Sequence, residues 1–216
     1  MPGTGTWPEG AGVSDAAVAA LRAGQLVVLP TDTVYGLCAD AYRERHCLRL
    51  YGAKRRPESM PVQLLAADLD AILDAVPEAR GRGAVVARAL LPGPYTLILP
   101  NPARRFRWLS GTRPETIGIR VPVLPAAALA VVQRLGAVAA TSANLHGEPD
   151  PARLDDVPRE LLDACGAVVD AGELPGAPST VVDLTGPEPK VLREGAVGAG
   201  EALARTREAL SVGAGG

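Results

Sequence analysis

The chain has 216 residues, 47% of them hydrophobic, and a formal net charge of −2. That is enough apolar material for one α/β core, and too little positive charge for a protein that coats nucleic acid or anionic membrane by bulk attraction. No run resembles a secretory signal or the ~18 apolar residues of a membrane span, so a soluble cytoplasmic protein with no membrane partner is expected.

In chain order, residues 1–13 are rich in Gly, Pro and Thr and read as a flexible N-terminus, after which Ser14 reads as the cap of a helix ending near Gly24. An apolar strand follows at 26–29. A helix over 43–51 leads to the turn Lys54-Arg55-Arg56-Pro57, a strand at 62–65, and helices over 68–76 and 82–91. Beyond the Pro92-Gly93-Pro94 break come strands at 95–99 and 116–121, a helix over 126–135 and a strand at 137–140. A helix over 154–164, strands at 167–169, 180–184 and 190–192, and a terminal helix over 200–210 before a loose 213–216 complete the pattern. The expected fold is a single-domain α/β protein, a twisted mixed sheet flanked by helices, with residues 14–198 as the domain and 199–216 as a C-terminal helix and tail.

Chemistry gathers where strands end. Leu26–Leu29 stops at Pro30, which lacks a ladder donor, and the next residues are Thr31, Asp32, Thr33 and Tyr35. Strand ends of this kind form ligand crevices in open α/β sheets, and they also make helix caps. Lys54 and Arg56 stand two residues apart in a proline-stiffened turn. Only two of the 22 basic residues are lysine, which singles Lys54 out. Such a pair suits a polyphosphate, because each charge-assisted bond to a phosphate oxygen contributes roughly 1.5–3 kcal/mol; an exposed basic turn has the same composition. No P-loop or dinucleotide glycine motif is present. Arg120 ends an apolar strand and, if buried, requires a carboxylate from protein or ligand. Further polar strand ends occur at Thr141-Ser142-Ala143-Asn144, at Ser179-Thr180, and at Arg193. Each alone could be a local turn; so many in one domain point to a shared site. Cys38, Cys47 and Cys165 are odd in number and lack C-x-x-C spacing, so they read as reduced thiols. His46 and His146 are isolated and read as surface or loop residues, leaving no metal pair.

PTDTVYGL (30–37), K-x-R-P (54–57), LPGPYTLIL (91–99), TIGIRVP (116–122), TSAN with G-x-P (141–149), STVVD (179–183) and LREGAV (192–197), in this order, resemble the YrdC-like threonylcarbamoyl-AMP synthases. The resemblance implies a YrdC-like fold with a concave ligand site, and an enzyme that joins L-threonine, bicarbonate and ATP into threonylcarbamoyl-AMP with release of pyrophosphate, for threonylcarbamoyladenosine in tRNA. It implies that Thr33, Arg120, Ala140 and Ser179 hold L-threonine. It implies that Lys54, Arg56, Met60, Thr116, Ser142, Asn144, Asp150 and Arg193 line the ATP side, with Lys54 and Arg56 as the catalytic cations. Mg²⁺ would accompany the triphosphate; no carboxylate cluster marks protein metal ligands, and Asp32 alone is a candidate. tRNA and the threonylcarbamoyl-transferase proteins are implied partners. The alternatives are a tRNA- or rRNA-binding accessory protein, disfavoured by 3% aromatic content, and the carbamoyl-adenylate activity of hydrogenase-maturation proteins, which requires segments this short chain lacks. Leu65 stands where many members carry histidine, Leu91 where tryptophan is common, and Thr141 where proline sometimes occurs. The second domain of the longer members is not expected.

Overall fold

The computed structural model describes residues 11–213. The elements are α1 (Ala11–Arg22), β1 (Leu26–Leu29), β2 (Gly36–Asp40), α2 (Glu44–Ala53), β3 (Gln63–Ala66), α3 (Leu69–Ala75), α4 (Arg82–Leu90), β4 (Tyr95–Pro100), β5 (Thr116–Arg120), α5 (Ala126–Leu135), β6 (Ala137–Ser142), α6 (Arg159–Asp163), β7 (Cys165–Val168), β8 (Thr180–Asp183), β9 (Lys190–Arg193) and α7 (Ala199–Gly213). All nine strands form one sheet in the order β7-β1-β2-β6-β3-β5-β4-β8-β9. The pairs β1–β7, β3–β5 and β4–β8 are parallel. The others are antiparallel, which makes the sheet mixed. The expected fold class is therefore the observed one.

Strand periodicity divides the core into two layers, because successive side chains leave opposite faces. Val28, Leu37, Leu64, Leu97 and Ile119 enter one apolar cluster, with residues of α2, α3, α4 and α7. Val27, Leu29, Cys38, Leu65 and Val138 enter the other, beneath α1 and α5. Gln63 shares its face with Leu65, and Thr96, Gly118 and Arg120 share theirs with the open half of that second face. The helices α1 and α5 cover this face over β7, β1, β2 and β6 and reach the edge of β3. The rest of this face, from Gln63 of β3 across β5 and β4 to β8, lines a cavity.

Several local expectations change. Ser14 lies inside α1, which begins earlier, and its hydroxyl donates to the Ala127 carbonyl at 3.0 Å, so it ties α1 to α5 and does not cap. Residues 1–10 of the expected N-terminal segment, and 214–216 of the tail, lie outside the described residues; Gly213 belongs to α7. The strand β2 was absent from the sequence reading: its glycine start and its single aspartate obscured a buried hairpin partner of β1. Pro158 splits the helix expected over 154–164 into a 3₁₀ turn, Leu154–Asp156, and the short α6, since a proline removes the amide donor that continuity requires. His46 is buried, with Nδ1 3.2 Å from the Asp40 carboxylate, so it is neither a surface nor a loop residue. No helix among the described residues is long and apolar enough to cross a membrane.

Candidate functional site

A cavity of about 330 Å³ opens on the uncovered sheet face, within the size range of small-molecule pockets. Its floor is built from strand positions of one parity: Gln63 of β3, Gly118 of β5, Thr96 and Ile98 of β4, Ala140 of β6 and Val181 of β8. Its rim carries Arg56, Arg113, Arg120 and Arg193 against the single carboxylate of Asp150. A cleft wall with this excess of positive charge concentrates anions. Of the residues expected at the site, Arg56, Thr116, Arg120, Ala140, Ser142, Asp150, Ser179 and Arg193 line this cavity. Residues more than a hundred positions apart are thus brought together by β3, β5, β6, β8 and β9.

Arg120 is 3% exposed. Its Nη2 donates to Asp32 Oδ1 at 2.6 Å and to Thr33 Oγ1 at 2.6 Å. Burial lowers the guanidinium pKa and the Asp32 carboxylate opposes that shift. The carboxylate that a buried arginine needs is therefore Asp32 of the protein, whose other oxygen accepts from the Val123 amide at 3.1 Å. Among the described residues Nη1 of Arg120 has no acceptor, and the side chain lines the cavity. Thr33 is fully buried and sits behind Arg120, outside the cavity wall. Thr31 orders this loop, with its hydroxyl donating to the Val34 carbonyl at 2.7 Å and accepting from the Thr33 amide at 3.2 Å. Tyr35 is buried as well; its hydroxyl donates to Asp170 at 2.6 Å, and burial with that carboxylate pushes its pKa up to about 12, so it is a structural strut and not a ligand contact.

The Lys54–Arg56 pair does not form a two-cation clamp in this structure. Lys54 caps α2 and is 1% exposed. Its ammonium donates to the Ser142 carbonyl (2.5 Å), the Asn144 carbonyl (2.6 Å) and Asn144 Oδ1 (2.7 Å). All three donors are used, because an ammonium has only three. Burial and the Arg56 charge bring the Lys54 pKa down to about 8, with Asp150 opposing. Arg56 alone reaches the cavity, bracing Nη2 on the Pro61 carbonyl at 2.9 Å, while its Nε is buried without a partner. Burial lowers its pKa too. Asn144 is buried, fixed by Lys54, by the Ser142 hydroxyl (2.6 Å) and by the Glu148 carbonyl, so it shapes the Ser142 loop from behind. Met60 is half-buried and outside the cavity wall; the neighbouring Pro61 lines it.

Arg193 donates through Nη2 to the Ser179 carbonyl at 2.8 Å and to the Ser179 hydroxyl at 3.1 Å. The Ser179 hydroxyl meets Thr96 Oγ1 at 2.8 Å, and Thr96 donates to Gln63 Oε1 at 2.7 Å. Gln63, Thr96 and Arg113 were missed by sequence reasoning. The signal was present: Thr96 is the polar inward position between Tyr95 and Leu97, and Gln63 interrupts an apolar strand in the same way. Among the described residues no group of three or more His, Cys, Asp or Glu could hold a metal ion. The thiols of Cys38, Cys47 and Cys165 are unpaired and pushed up to about 12 by burial, which leaves them without nucleophilic character at neutral pH.

The chain is similar to known proteins in sequence and in fold. The Sua5/YciO/YrdC family model, described as "Telomere recombination", matches residues 19–195. A Mycobacterium tuberculosis protein is 38% identical over 182 residues, spanning 84% of this chain and 83% of its own length. The threonylcarbamoyl-AMP synthase of Bacillus subtilis is 36% identical over 185 residues, covering 84% of this chain and 53% of the longer relative. The solved structure of Pyrococcus abyssi Sua5 complexed with L-threonine superposes with a TM-score of 0.80 at 32% identity, over 89% of this chain and 56% of that one. With a family match across the sheet and every wall of the cavity, the chain belongs to the Sua5/YciO/YrdC family.

Proposed function

We propose that the chain is a threonylcarbamoyl-AMP synthase, a nucleotidyltransferase that converts L-threonine, bicarbonate and ATP to threonylcarbamoyl-AMP and pyrophosphate. The observation that carries this reading is the cavity with four arginines and one carboxylate on its rim, of which the buried Arg120 has Nη1 and Nε without a protein partner. An amino-acid carboxylate matches Arg120, and triphosphate oxygens match Arg56 and Arg193.

In the reaction the threonine amine adds to the carbon of bicarbonate with loss of water. A carbamate oxygen then attacks the α-phosphorus, and the bond to the β-phosphate oxygen breaks to release pyrophosphate. Such a displacement requires alignment and positive charge on the phosphates more than a strong base, in keeping with a wall of arginine, serine and threonine. The roles follow the walls: Arg120, the Ala140 backbone and Ser179 with Thr33 behind them hold threonine, while Arg56, Thr116, Ser142, Asp150 and Arg193 hold ATP, with Met60 at its edge. Lys54 and Asn144 act through the Ser142 loop. Asp150 is the sole carboxylate on the cavity wall, so Mg²⁺ would be held chiefly by the triphosphate and would supply neutralisation of phosphate charge. The product serves tRNA threonylcarbamoylation in the cytoplasm, passed to separate transferase proteins.

Mass spectrometry of the nucleotide product formed from ATP, L-threonine and ¹³C-bicarbonate tests the reading. A threonylcarbamoyl adenylate carrying the label is expected. Unlabelled nucleotides alone would overturn it.

A further inference from the structure

The chain of hydrogen bonds on the cavity floor has a direction. A guanidinium only donates, so Arg193 Nη2 gives a proton to Ser179 Oγ. Thr96 has one hydroxyl proton, directed at Gln63 Oε1 over 2.7 Å. The Ser179–Thr96 contact of 2.8 Å must then be donated by Ser179. The order is Arg193 to Ser179 to Thr96 to Gln63, and it ends on the amide oxygen.

Two consequences follow at the cavity surface. The Gln63 amide nitrogen is left with both protons free, since among the described residues Nε2 has no acceptor, and the side chain lines the cavity. Ser179 Oγ, having spent its proton on Thr96, retains one lone pair. A donor and an acceptor therefore stand at the two ends of a three-residue relay. A neutral hydroxyl, which both donates and accepts, is the group that satisfies both. A carboxylate has no proton for Ser179 and is matched by Arg120, while the phosphates are matched by the other rim arginines. Gln63 lies opposite Ala140 in the β3–β6 ladder and against Gly118, where a Cβ would stand 3.9 Å from its own Cβ, so no neighbouring side chain separates the amide from a ligand on the floor.

We propose that Gln63 is a specificity-determining residue, whose amide N–H reads the side-chain hydroxyl of the amino-acid substrate while the relay through Thr96 holds that amide in one orientation. This inference rests on the synthase reading above. Sites built to bond a hydroxyl reject analogues that lack it, because their own polar groups are left unpaired.

The test compares L-threonine with L-valine, its near-isostere without the hydroxyl, in bicarbonate- and ATP-dependent pyrophosphate release by the wild-type protein and by Gln63→Leu and Gln63→Glu. Gln63→Glu keeps the oxygen that Thr96 needs and removes the donor. Both variants are expected to lower the threonine-over-valine ratio of kcat/KM by about tenfold or more, through a raised KM for threonine with kcat and the KM for ATP little changed. Thr96→Val, which frees the amide to turn, should show a smaller loss of the same kind. A wild-type ratio retained in folded Gln63→Leu or Gln63→Glu would overturn the proposal alone. Absence of threonine-dependent turnover in the wild-type protein would overturn the synthase reading, and this inference with it.

Discussion

Arg120 Nη2 lies 2.6 Å from Asp32 Oδ1, joining the end of β5 to the loop after β1 and fixing the guanidinium on the cavity wall. Removing one member of a buried pair leaves the other uncompensated, at roughly 3–5 kcal/mol. Asp32→Ala should therefore destabilise the protein by about 3 kcal/mol in urea unfolding and raise the KM for threonine, although the aspartate itself does not line the cavity. Arg120→Ala should raise that KM further. The double variant should lose less stability than the two single losses added together; strict additivity would show that the pair is not coupled.

The pH dependence of stability reports on Lys54. Its pKa is about 8 in the fold against the ordinary 10.5, so between those values the unfolded chain binds the proton more tightly and stability rises with pH. Relative to Lys54→Met, the wild-type protein should gain on the order of 3 kcal/mol from pH 8 to 10.5. Parallel curves for the two proteins would contradict a depressed pKa at this site.

Gly195 is a point of close approach. A Cβ there would overlap the Pro178 carbonyl oxygen and press on the Ser179 backbone, whereas a Cβ at Gly198 would meet nothing within 4 Å. Gly195→Ala should cost about 1–3 kcal/mol and, by shifting Ser179 away from Arg193, raise the KM for threonine. Gly198→Ala should leave both unchanged. Equal behaviour of the two variants, measured by thermal unfolding and kinetics, would refute the packing argument.

Arg56 and Arg193 both line the cavity, and in the proposed function each holds phosphate oxygens. Each charge-assisted bond lost should weaken binding by roughly 1.5–3 kcal/mol, so Arg56→Ala should weaken ATP binding by tens of fold in calorimetry. Arg193→Ala should do the same and also disturb Ser179, adding a threonine defect that Arg56→Ala lacks. Identical profiles for the two would argue against separate roles.

Much of this site could be read from the chain because its parts sit at strand ends, where an apolar run breaks into hydroxyls and arginines, and because the motifs recur in family order. What could not be read was direction. Lys54 carries the right chemistry for phosphate, yet its ammonium is turned inward onto Ser142 and Asn144, and only three-dimensional placement of those carbonyls reveals it. Likewise Asp32 resembles a free carboxylate until β5 brings Arg120 against it. The strand β2 escaped because a glycine and a half-buried aspartate frame it, and its burial on both faces erases the alternation that marks a strand. Gln63 and Thr96 were legible as inward polar positions, but their contact crosses β5 at Gly118, and only the sheet order β3-β5-β4 brings them within reach.

The most direct measurement is pyrophosphate release by the purified protein with ATP and Mg²⁺, omitting L-threonine and bicarbonate in turn. Release that requires both is predicted, because the attacking carbamate is made from the two together. Release that is indifferent to either, or none at all from folded protein, would contradict the synthase assignment.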